Sequence, residues 1–143
     1  MTRMRRALLV VALALPPGAM PHADMVVVAS ARSGVDRLSR SEAINIFLGR
    51  FRQLPSGGSA LPIDQPENSM EKRRFYRLLV NKDLDEINAY WTRLRFSGKT
   101  SPPRQAKTQG EIMNWLAERE GAVGYMDRSQ VDGRGRIVLE LER

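Results

Sequence analysis

The sequence contains no cysteine, so no disulfide staples the fold and no lipid-bearing cysteine anchors it. Histidine is almost as scarce, and the single one, His22, falls within the first 23 residues. Beyond that point the chain has neither imidazole nor thiol. This excludes Ser-His and Cys-His nucleophile pairs, imidazole acid–base chemistry and the usual zinc or transition-metal ligand sets. No cofactor and no metal are expected. An enzyme would have to work with carboxylates, serine and lysine alone. Several of the acids, Glu42, Asp83, Glu86 and Glu111, already read as helix caps, and no paired-carboxylate cleft can be placed. The expectation is a binding protein, not an enzyme.

Long apolar runs are also few. One of nine residues, Ala7 to Leu15, follows Arg3, Arg5 and Arg6 and ends at Pro16, Pro17 and Gly18. It is too short to span a bilayer and has the parts of a secretory signal. The expected organisation is a signal peptide over residues 1–23 and one domain over 24–143, exported to the periplasm without a lipid anchor or a later membrane segment. Those first 23 residues hold three arginines and no acid, so the remaining 120 carry +4 of the chain's net charge of +7. The sequence pI near 10.5 and "KRRFYR" (Lys72 to Arg77) suggest nucleic acid, but export argues against it and a basic run on a helix is usually a solvated face. No nucleic-acid partner is expected.

The rest of the chain alternates strands and helices. "DMVVVAS" (Asp24 to Ser30) is a continuous apolar run, as in a strand buried on both faces. Ser39 and Glu42 have capping-box spacing ahead of Ile44, Phe47 and Leu48, and Gly49 supplies a left-handed stop. Residues 50–59 form a loop and "ALPI" (Ala60 to Ile63) a short strand. A helix then runs to about Val80 with Phe75, Leu78 and Leu79 inward. Asp83 and Glu86 start the next, with Ile87, Tyr90, Trp91 and Leu94 on one face and Gly98 at its end. "KTSPPRQAK" reads as a loop. Thr108 and Glu111 cap a fourth helix with Ile112, Trp115 and Leu116 inward, and "AVGYM" and "RIVLEL" are strands on either side of "DGRG". The fold class is α/β, a small mixed sheet flanked by helices.

"QPENSMEKRRFY" (Gln65 to Tyr76) begins the second helix. A helix start is a ready anion site, with unpaired N–H groups at the positive end of its dipole. Asn68 and Glu71 have the spacing of a capping box, which would place a carboxylate where an anion would bind.

Taken together, the "VVV" strand, "LSRSEAINIFLGR", "LPID", a serine at a helix start, the "YW" helix and "GAVGYM" resemble the second lobe of the periplasmic phosphate-binding proteins of ABC importers, of the type II solute-binding fold. The resemblance covers most of residues 25–127. It implies an oxyanion bound at a helix-start loop of pattern Arg, any, acidic, any, Ser, Gly, Thr. Laid on this chain, those positions are Gln65 for the arginine, Glu67 for the acid, Ser69, Met70 for the glycine and Glu71 for the threonine. The implied ligand-binding residues are Gln65, Asn68, Ser69, Met70 and Glu71, and the implied ligand is inorganic phosphate or a similar oxyanion. Because 120 residues supply one lobe, the implied binding is weak. The alternative is a ligand-free module that docks on an envelope sensor or transport component, and the candidate protein partners are an envelope protein or a second copy of the chain that rebuilds the cleft.

Overall fold

The computed structural model describes residues 24–141. The expected signal over residues 1–23 lies outside the described residues, as do residues 142 and 143 of the expected domain. Along the chain come β1 (Met25–Ser30), α1 (Arg40–Phe47), β2 (Leu61–Asp64), α2 (Met70–Val80), α3 (Leu84–Arg95), β3 (Arg104–Gln105), α4 (Gln109–Glu118), β4 (Ala122–Asp127), a 3₁₀ turn (Arg128–Gln130) and β5 (Gly135–Glu140).

The strands form one mixed sheet in the order β3-β2-β4-β1-β5. β2 runs parallel to both β3 and β4, and β1 antiparallel to both β4 and β5. Successive side chains in a strand point to opposite faces, and helices cover both faces here. Val27 of β1 and Val123 and Tyr125 of β4 pack with Phe47, Phe75 and Trp91 in one core. Val26 and Val28 of β1 pack with Ile112, Met113 and Leu116 of α4 in the other. All six residues of β1 are buried, as a two-sided apolar strand requires.

Helix starts follow the caps in the sequence. At α1 both halves of the capping box form: Glu42 N–H donates to Ser39 Oγ at 3.1 Å and Ser39 N–H to Glu42 Oε1 at 3.0 Å. Asp83 and Thr108 likewise accept from the backbone N–H of Glu86 and Glu111. Gly49 ends the α1 turn at φ +70°, where an added Cβ would run into Thr100 and Trp91.

Three differences from the sequence expectation bear on the candidate site. β2 starts and ends one residue later than "ALPI", with Ala60 buried ahead of it. The stretch 99–107 is not all loop, because Arg104 and Gln105 pair in parallel with Ile63 and Asp64. A two-residue strand has no periodicity to read. The third difference is the start of α2, where Ser69 caps instead of Asn68.

Candidate functional site at the start of α2

β2, β3 and β4 are parallel, so their carboxyl ends lie along one edge of the sheet. Ligands of open α/β sheets bind outside such edges. β2 ends there in Asp64, and six residues later α2 begins.

Asp64 is an acid at the end of an apolar strand and is only 4% exposed. Its Oδ1 accepts from the phenols of Tyr76 at 2.7 Å and Tyr125 at 3.0 Å, and its Oδ2 lies 3.7 Å from Lys72 Nζ. Burial pushes its carboxyl above the ordinary carboxylate value, opposed by Lys72 and the two phenols. Both phenols are pushed well above the ordinary tyrosine value by burial and by the neighbouring carboxylate. Tyr125 stacks on Phe75 with centroids 3.6 Å apart, so its hydroxyl has little freedom to move. A cleft of about 250 Å³ opens beside this group, with Lys72, Glu67 and Gln105 in its wall.

Gln65 extends the same network. Its N–H donates to the Tyr125 hydroxyl at 3.1 Å, and its side-chain Nε2 to Tyr125 O and to Gln109 Oε1, both at 2.8 Å. The residue in the arginine position is therefore 3% exposed, with its amide donors engaged inside the protein.

The chain then turns outward. Ser69 N–H donates to Pro66 O at 3.0 Å, and Asn68 sits at φ +61°, a left-handed conformation that asparagine tolerates better than most residues. Ser69 takes the extended N-cap conformation and its Oγ accepts from Lys72 N–H at 3.2 Å. The Asn68–Glu71 capping box expected from the sequence does not form. Asn68 lies one residue before the cap, and the third helical position is Lys72, whose side chain reaches inward to Asp64. Met70 is 80% exposed, Asn68 and Glu71 are exposed, and Ser69 is half-buried. Among the described residues, no hydrogen bond takes the backbone N–H of Met70 or Glu71. A cleft of about 360 Å³ separates this first turn from the 3₁₀ turn after β4, with Arg74 and Asp127 on its sides.

Of the five residues singled out by sequence, the structure gathers Asn68, Ser69, Met70 and Glu71 around one open helix start and turns Gln65 inward. The residues that reading passed over are Asp64, Lys72, Tyr76 and Tyr125. The available signals were an acid ending an apolar strand and a tyrosine two residues from Val123 in β4, hence on the same face.

No protein-family model matches the chain, and no curated protein does either. Solved structures do. An ABC-type phosphate transport receptor from Vibrio cholerae superposes with a TM-score of 0.63 at 12% identity, over 80% of this chain and 45% of that one. A candidate phosphate ABC transporter substrate-binding protein from Clostridium perfringens, solved with bound phosphate, gives 0.63 at 15% identity over 80% and 44%. A candidate phosphate-binding protein from Planctomyces limnophilus gives 0.52 at 12% identity over 80% and 40%. The chain thus spans less than half the length of each. Its fold is that of a single lobe of these phosphate-binding proteins.

Proposed function

We propose that this chain is an exported solute-binding-type protein that takes phosphate or a similar oxyanion weakly at the start of α2. One observation carries the reading: among the described residues no side chain closes a box over that helix start, and the third helical position holds a cation where α1 holds a carboxylate. The Ser69 hydroxyl still has a proton to donate, and the N–H groups of Met70 and Glu71, which no hydrogen bond takes among the described residues, lie at the positive end of the helix dipole. Arg73, Arg74 and Arg77 on the same helix draw anions toward it. Gln65 holds the loop in place through Tyr125 instead of touching the ligand. Affinity is weak because the turn is exposed, since charge-assisted bonds are strong only where water is kept out.

A calorimetric titration of the full chain with phosphate, with sulfate and chloride at matched ionic strength, tests this. Saturable heat with phosphate and none with chloride is expected, lost when Ser69→Ala is combined with Met70→Pro. Silence with all three anions would refute it.

A second reading is favoured by Met70, whose side chain stands 80% exposed at the same turn. On this reading the lobe docks through α2 on an envelope sensor or transport component, or on a second copy of itself. A partner retained from envelope extract and lost on Met70→Asp supports it, while recovery of the bait alone counts against it.

A further inference from the structure

β3 flanks β2 only at the carboxyl end of β2, where Ile63 pairs with Arg104 and Asp64 with Gln105. Beside Leu61 and Pro62 lies a groove of about 320 Å³. Its apolar surface is built from these two residues and Ile63, from Pro102 and Pro103, and from the indole of Trp115. Leu61 is 45% exposed although Pro62 and Ile63 beside it are buried.

The polar lining has one sign. Arg52, Arg104 and Arg119 reach the groove, and among the described residues no Asp or Glu lines it. Among the described residues, none of the three is within ion-pair distance of a carboxylate. Arg104 is held over the Trp115 ring, 4.4 Å from its centroid. Arg52 is fixed by the carbonyls of Ile46 at 3.1 Å and Ser101 at 2.6 Å. An apolar hollow with a few convergent cations is the usual make-up of a small-molecule site, and guanidinium groups match the planar fork of a carboxylate.

From this geometry we propose that the groove is a ligand site for a small carboxylate with an apolar body, such as an aryl or short-chain carboxylate. Its prolines set the kind of occupant. Pro62, Pro102 and Pro103 have no N–H, so an added peptide strand would find few backbone donors and such an edge resists strand pairing. Size is consistent as well, since an apolar cavity of about 150 Å³ already accepts benzene. The site is independent of the oxyanion reading, because it lies along the amino-terminal half of β2 and Ser69 follows the carboxyl end.

The test is a nitrogen-15 NMR titration of the full chain with phenylacetate, with acetate and 2-phenylethanol as the charged and apolar halves of the probe. Saturable shifts at the Trp115 indole N–H and the Leu61 amide are expected. Affinity should fall at least tenfold for either half-probe and for Arg119→Gln, an exposed change that leaves the fold intact. Leu61→Asp, also at an exposed side chain, should abolish binding by placing a carboxylate in the groove. Absence of saturation, equal binding of 2-phenylethanol, or undiminished binding by both variants would overturn the proposal.

Discussion

The starts of α1 and α2 differ most consequentially at the third helical position. Each is capped by a serine in extended conformation, and each serine accepts from the N–H of the third helical residue. At α1 that residue is Glu42, whose carboxylate folds back on the cap and neutralises the helix end. At α2 it is Lys72, which turns away and places its ammonium beside the buried Asp64. Both starts leave the N–H groups of their first two helical residues without a hydrogen bond among the described residues, and only α1 has a carboxylate closed over its cap. At α2 the third side chain is used in the core, and no carboxylate box closes over the cap among the described residues. With Asn68 taken as the cap the two look alike in sequence, and the difference lies in Ser69 capping instead and Lys72 reaching the buried Asp64 at the end of β2.

The largest effects expected are those that break the buried arrangement beneath α2. Removing one partner of a buried charge pair costs about 3–5 kcal/mol, so Asp64→Ala should destabilise the chain by that much in denaturant unfolding. Removing Glu42, the carboxylate that closes the box at the exposed α1 start, should cost far less. A result with the two changes equal would remove the contrast.

The Asp64 carboxyl should also titrate above 3.8 in carbon-13 NMR. An acid whose value is raised by folding binds its proton more tightly in the folded state. Its contribution is present in full below the unfolded value and is lost as pH rises through the folded one. The stability of the natural protein relative to Asp64→Asn should therefore decline with rising pH across that window. A flat difference would contradict the buried placement.

The caps come next. Ser69→Ala and Ser39→Ala should each cost about 1 kcal/mol in unfolding experiments, because both remove one acceptor from a helix start. Only Ser69→Ala should also weaken phosphate binding. The smallest effect is at Glu71, whose carboxylate opposes an anion in the first turn. Its change to Gln should tighten phosphate binding about two- to fivefold by titration calorimetry, the size of a charge–dipole contribution at an exposed helix end.

Much of the framework is legible in the residues. The Val-rich β1, the Ser39–Glu42 box, Asp83 and Thr108 as caps and the two C-terminal strands all state local preferences that packing does not overrule. The site is less legible, because its logic is not local. Lys72 belongs to a run of basic residues that reads as a solvated face, and only the fold brings Asp64, eight positions earlier, beneath it. Tyr125 lies 61 residues from Asp64, with nothing near it in sequence to mark its hydroxyl as a partner. Asn68 and Glu71 have box spacing, yet the Pro66–Ser69 turn moves the cap on by one residue. The two-residue β3 exists only because β2 is there to pair with.

The contrast between the two helix starts is tested most directly by following backbone amides of the full chain in a phosphate titration. Met70 and Glu71 at α2 should shift with saturation, while Arg40 and Ser41 at α1, under the Glu42 carboxylate, should not. Equal shifts at both ends, or none at α2, would contradict an open oxyanion site at the start of α2.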